Sequence, residues 1–330
     1  MKRAIWLAAV ILAAGCAPKR PEAPKAPGGL KVGLLVSGPV SDHGWNGLAH
    51  DAGQELARDT GAQVQELQTK SKGEIEAALR DFAARGFDLV IGHGNEYGDP
   101  ALKVAKDFPK TKFLITSGRV SAPNVASLVY KLEDATYCVG ILAAGLSKTG
   151  KVASVGGVQY PVVQSTFDGL RAGALTVNPK ISTPVAYINS WDDAGAAKQQ
   201  TSTLISQGAD VIFHNADAAG LGVFQAVQEA DKAGKTVYAF GSNADQNAIA
   251  PDVVVASAVM DLGKTFDAIA AEVKAGTFQG KPRVLGMKDG FVSVSINAAL
   301  EPKIPPAILK KEQAAEAGIR SGKLVVKQSA

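Results

Sequence analysis

The chain has 330 residues, 46% of them hydrophobic, with 35 Lys+Arg against 31 Asp+Glu and a formal net charge of +4. Its basic residues are scattered rather than clustered, so a sequence pI near 8.9 does not argue for nucleic acid. With cysteines only at positions 16 and 138, the chain has no disulfide framework.

Residues 1–15 read as a signal peptide: a basic MKR, then the apolar run AIWLAAVILAAG, too short to span a bilayer. The run ends in Leu12-Ala13-Ala14-Gly15-Cys16, which resembles a bacterial lipobox with Cys16 as the lipidated residue. Ordinary secretion with Cys16 incidental is the alternative, but cleavage after Ala17 would leave Pro18 at the new terminus. Residues 16–29 form a linker in which Pro18, Pro21, Pro24 and Pro27 repeat every three residues, the period of a polyproline II spacer. The segment then relaxes at Gly28-Gly29, and the folded body is expected from Leu30.

From there strands and helices alternate. KVGLLVS reads as a strand and WNGLAHDAGQELARDTG as a helix stopped by Gly61. GEIEAALRDFAARG places Ile75, Leu79 and Phe82 on one helical face and stops at Gly86. FDLVIGHG is a buried strand, PALKVAKDFP a helix with Asp99 as its N-cap and Pro100 at N1, and TKFLITSG another strand. YCVGILAAGL reads as a buried helix holding Cys138, followed by strands in KVASVGG, PVAYINS, ADVIFHN, TVYAFGS and VVVASAV. Such alternation makes parallel sheets covered by helices on both faces, an α/β fold. The stretch Ala83–His93 echoes Ile205–His214: a helix end, a glycine, an aspartate, an apolar strand and a histidine, with Asn95 or Asn215 just beyond. The echo argues for two lobes built alike.

Trp45 and Trp191 lie just past predicted strands, one in each half, and are the tryptophans that follow the leader. Ligands of α/β folds bind at strand ends, so the pair is expected to act as jaws for a flat ligand. Catalytic signatures are weak by comparison. Gly145–Lys151 opens like a phosphate loop, but Val152 stands where Ser or Thr must ligate magnesium, and Gly150 reads better as a helix cap. His43, His50, His93 and His214 lack metal-ligand spacing, and Asp42, Asp99, Asp217 and Asp245 sit near strand tips without a recognisable acid–base set. We therefore expect no enzyme, no cofactor and no metal.

The segments GPVSDHGWN, AARGFDLVIGHG, DPALKVAKDFPKTKF, PNVASLVY, KTGKVASVGG, PVVQSTFDGLRAGA, QGADVIFHNA and MKDGFVSV occur in an order and spacing that resembles the basic membrane protein family of bacterial lipoproteins. Members are purine-nucleoside receptors of ABC transporters. The resemblance implies a type I periplasmic-binding-protein fold, with two doubly wound parallel-sheet lobes joined by crossing hinge strands. Residues 30–131 and about 245–280 would form the N-terminal lobe, and 132–244 and about 281–330 the C-terminal lobe. It maps the purine-stacking aromatics onto Trp45 and Trp191, ligand-reading polar positions onto Asp42 and Asn46, and one near the base onto Asp99. Where nucleoside receptors carry an aspartate for the ribose, this chain has Asn243, and where they carry a lysine it has Met260. Asn95, Asn215, Asp217, Asn243 and Asp245 complete the expected site. The expected protein is a monomer of the bacterial cell envelope, held to the membrane by its lipid, that binds a purine nucleobase or nucleoside and delivers it to an ABC permease. A sugar ligand, a surface sensor without a transporter and a nucleoside-cleaving enzyme are the competing readings.

Overall fold

The computed structural model describes residues 29–327, so the leader, Cys16 and most of the proline-spaced linker lie outside the described residues. The first half runs β1 (Lys31–Val36), α1 (Trp45–Thr60), β2 (Gln63–Gln68), α2 (Lys72–Ala84), β3 (Leu89–His93), α3 (Gly98–Ala105), β4 (Lys112–Thr116), β5 (Val125–Tyr130). The second runs α4 (Leu132–Leu146), β6 (Val152–Gly156), α5 (Pro161–Leu175), β7 (Val185–Tyr187), α6 (Ala194–Ser206), β8 (Val211–Asn215), α7 (Gly220–Lys232), β9 (Tyr238–Asn243), β10 (Val254–Met260). The remainder is α8 (Leu262–Ala275), β11 (Pro282–Leu285), β12 (Val292–Ile296) and α9 (Pro306–Arg320).

Local chemistry explains the elements. Helix α2 starts where the Ser71 hydroxyl accepts the Glu74 N–H, buries Ile75, Leu79 and Phe82, and gives way to Gly86 at φ +73°. Helix α4 is buried almost all round, which suits its apolar sequence, and Cys138 is a free, buried residue within it. Helix α3 begins at Gly98, two residues earlier than expected, so Asp99 lies in its first turn and is not the N-cap. The phosphate-loop look-alike is already filled. The Asp210 carboxylate accepts Ser147 Oγ and the N–H groups of Lys148 and Thr149, occupying the place an anion would need.

Two six-stranded sheets result, with strand orders β11-β5-β4-β3-β1-β2 and β12-β10-β9-β8-β6-β7. Among the described residues, every pairing of these strands is parallel except β10 with β12. The expected return to the first lobe at about residue 245 comes too early, because β10 is buried beside β9 in the second sheet. Only α8, which packs on α1, and β11 return to the first lobe, and β12 and α9 belong with the second. The chain thus crosses between lobes near Lys131, Asp261 and Gly286–Gly290. These crossings are bonded to one another, Lys131 N to Leu285 O at 2.8 Å and Asp261 N to Phe291 O at 2.9 Å.

A core cluster containing Leu34, Leu56, Cys138, Val152 and Phe266 runs through both lobes. Separate clusters fill the other face of each sheet, around Leu79, Phe82 and Phe113 in the first lobe and Ile212, Val223 and Phe224 in the second. The loop after β1 in the first sheet and the loop after β8 in the second, both at strand C-termini, lie against each other.

Candidate functional site

The loop after β1 is built around Asp42, which is 1% exposed. Its Oδ1 accepts the N–H groups of Gly44 (2.9 Å) and Gly47 (2.8 Å), and its Oδ2 accepts the N–H and side-chain Nδ2 of Asn46, both at 2.8 Å. Four bonds fill the capacity of a carboxylate. Asp42 therefore satisfies the open donors at the start of α1 and has no lone pair to spare for a ligand, unlike the ligand-reading role the resemblance implied. Asn46 extends the brace, its Oδ1 accepting Gly38 N at 3.0 Å. One amide hydrogen of Asn46 is left outside these bonds.

This brace sets Trp45, half-buried, as the first residue of α1. The indole stacks on the His93 imidazole, with centroids 3.9 Å apart and planes 26° off parallel. His93 Nε2 lies 3.0 Å from the Trp45 carbonyl oxygen and Nδ1 lies 2.9 Å from Thr116 Oγ1. A carbonyl only accepts, so Nε2 carries the proton and Nδ1 accepts from the threonine. Burial pushes the imidazole down to about 3, partly offset by the Trp45 carbonyl, so it stays neutral.

Trp191 comes from elsewhere in the topology. Trp191 follows the edge strand β7, whose counterpart in the first sheet is β2, whereas Trp45 follows β1. The tryptophans are thus not at matching strand ends. The counterpart of Trp45 is Tyr160, in the loop after β6, 52% exposed with its ring 6.0 Å from that of Trp191. Tyr160-Pro161, three residues past the end of KVASVGG, was the available sequence signal. Trp191 is fixed through its carbonyl, which accepts Ala219 N at 2.9 Å, and its indole lies so close over Gly157 that a Cβ there would overlap it.

Asn215, Asp217 and Asn243 gather at the ends of β8 and β9. The Asn243 amide, on a backbone at φ +70°, donates to Asn215 Oδ1 (3.4 Å) and Asp217 Oδ1 (3.3 Å). The cluster faces the Trp45 loop: a Cβ on Gly44 would sit 3.9 Å from the Asp217 Cα. Burial, reinforced by the charges of Asp42 and Glu96, pushes the Asp217 carboxyl up to about 8. At neutral pH it is a neutral acid, able to donate a hydrogen bond. Glu96, which sequence reasoning passed over, is itself raised by the loss of surrounding water.

Other expected residues stand apart from this group. Asn95 opens a 3-10 turn, Asn95–Tyr97, as Asp217 opens the corresponding Asp217–Ala219, but Asn95 is exposed. Asp99 is exposed on α3. Asp245 accepts from Ser295 Oγ (2.6 Å) and Asn247 N (3.0 Å), which ties it to β12 and its own turn. Met260 is 4% exposed and packed in the core, so a lysine there would bury an ammonium. These loops carry aromatic rings, amides and carboxyls, with no nucleophile–base pair among the residues described above.

Comparison with known proteins agrees with this geometry. The family model described as ABC transporter substrate-binding protein, PnrA-like, matches residues 30–323. A purine-binding protein of Brucella abortus is 32% identical over 298 residues, 89% of this chain and 82% of its own. Basic membrane protein A1 of Borrelia garinii is 28% identical, covering 86% of this chain and 83% of its own. Among solved structures, an ABC transporter solute-binding protein from Conexibacter woesei superposes with a TM-score of 0.76 at 30% identity, covering 91% of this chain and 99% of its own.

Proposed function

The chain belongs to the PnrA-like family of ABC transporter substrate-binding proteins, which bind a solute and do not convert it, and from that premise we propose that its solute is a purine base or nucleoside. The ligand lies between the Trp45 indole and the Trp191–Tyr160 wall, with its polar edge against Asn215, Asp217 and Asn243. The observation that carries the reading is Trp45 itself, a half-buried residue at the start of α1 whose carbonyl and one ring face are both held by a neutral histidine. The purine-binding relative supports the same ligand class. Base–aromatic stacking contributes about 1–3 kcal/mol per face, so two walls supply a large part of the ~8 kcal/mol of a micromolar complex. Carboxyls at the site disfavour phosphorylated ligands, and the neutral Asp217 acid suits the acceptor nitrogens of a base.

Ribose adds little in this reading, because the Asn243 amide is neutral and already shared between Asn215 and Asp217. A free base binds within about tenfold of its nucleoside, under ~1.4 kcal/mol. The receptor works as a monomer on the outer face of a membrane, tethered through lipid on Cys16, and hands its ligand to a permease. Competition titrations of adenine, adenosine, guanine, guanosine and ribose, followed by tryptophan quenching, test the ligand. Trp45→Ala and Trp191→Ala each weaken purine binding about five- to a hundredfold. Saturable ribose binding without any purine response would replace the proposal with a sugar receptor, and a hundredfold preference for nucleosides would overturn the base reading.

A further inference from the structure

Gln246, in the turn after β9, is 1% exposed. Its backbone N–H donates to Ser257 Oγ at 3.0 Å. Its Oε1 accepts Ser242 N at 3.0 Å and lies 2.9 Å from His214 Nε2, while its Nε2 donates to the His43 carbonyl at 3.2 Å. A backbone N–H only donates and a carbonyl only accepts, so the amide has one possible orientation and His214 must carry its proton on Nε2. Burial pushes His214 down to about 4, which keeps this tautomer neutral at ordinary pH.

The partners of the His43 bond are 203 positions apart and belong to opposite lobes. The same three-residue stretch is gripped from its own lobe by His93 through the Trp45 carbonyl. The two strand-tip histidines of the internal repeat thus converge on one loop, directly from the first lobe and through Gln246 from the second. His43 holds a left-handed backbone at φ +49°, which turns its carbonyl toward the second lobe. A Cβ on Gly44 would lie 3.6 Å from Gln246 Nε2, so the lobes meet closely at this point.

We propose that Gln246 is a closure latch, a positioning residue that fixes the Trp45 loop to the second lobe when the cleft shuts and releases it when the cleft opens. The proposal rests on the solute-receptor reading for its purpose and adds how the closed state is kept. Its bond belongs to the closed state, with or without ligand, so it slows escape from the loaded cleft and shifts the ligand-free population toward closure. A net hydrogen bond of ordinary strength corresponds to a change of roughly two- to tenfold.

Gln246→Glu keeps an acceptor for Ser242 N and His214 but sets an acceptor oxygen and a buried charge against the His43 carbonyl, and Gln246→Met removes the polar group altogether. Stopped-flow tryptophan fluorescence with adenine separates the two rates. Both variants are expected to release adenine about three- to tenfold faster, with association no slower than in the parent. Small-angle scattering is expected to show a larger radius of gyration for both variants in the ligand-free and adenine-saturated states. Parent-like release and parent-like scattering in both variants would overturn the latch. Failure of the unaltered protein to respond to adenine would strike the purine reading instead, and scattering of the ligand-free variants would then decide the latch alone. If Gln246→Glu melts well below the parent, Gln246→Met carries the comparison.

Discussion

Replacing Asp42 by asparagine removes one of the two oxygens that organise the Trp45 loop. An asparagine oxygen can still accept Gly44 N and Gly47 N, but its amide nitrogen then faces the N–H and Nδ2 of Asn46, donors against a donor. Two charge-assisted bonds are lost, each worth about 1.5–3 kcal/mol, and water reaching the loosened loop returns part of this. We expect a net cost of about 3 kcal/mol, which for a domain of this size lowers the melting temperature by about 6 °C. Asp42→Ala, which also leaves a void, costs more. The assay is calorimetric unfolding paired with purine titration of both variants. Because the carboxylate acts through the loop, affinity and melting temperature fall together. A melting temperature within 1 °C of the parent alongside a large loss of affinity would refute the reasoning and place the carboxylate against the ligand.

A methyl group at Gly157 displaces the Trp191 indole, so Gly157→Ala weakens purine binding about as much as Trp191→Ala, measured by fluorescence titration. The folded Asp217 acid titrates at about 8 instead of 3.8, so it favours the folded state below pH 3.8 and costs increasing stability as pH rises toward 8. Asp217→Asn, which imitates the neutral acid, is therefore more stable than the parent at pH 9 and equal to it near pH 4, read from melting temperatures across that range. Cys16→Ala abolishes incorporation of labelled palmitate and lipoprotein-type processing; equal labelling of parent and variant would rule out the tether.

What was legible in the sequence was what local chemistry decides. The repeat of glycine, aspartate, apolar strand and histidine is the β3 and β8 unit, because a left-handed stop (Gly86 at φ +73°, Gly208 at φ +95°) and a buried strand are both short-range features. Which sheet a strand joins is a long-range matter. VVVASAV reads as a strand in either lobe, and only its pairing with β9 and β12 assigns it to the second. The same gap made Trp191 look like the partner of Trp45, since edge and inner strands leave no different mark on three apolar residues such as β7. Asp42 and Asp245 were legible as polar tips but not as groups whose oxygens are already taken, because their partners include Gly47 N and Ser295 Oγ at separations no motif encodes. Gln246 was invisible for the same reason.

The three crossing segments, bonded side by side through Lys131, Leu285, Asp261 and Phe291, behave as a narrow ribbon rather than three independent strings. A flat ribbon yields most readily out of its own plane, so rocking of one lobe against the other is the motion this connection opposes least. Occupancy of the interior is then expressed outside as a single angle between two rims. Whatever touches both rims measures that angle without meeting the ligand, which leaves the interior free to change its chemistry over evolution while the outside keeps one meaning.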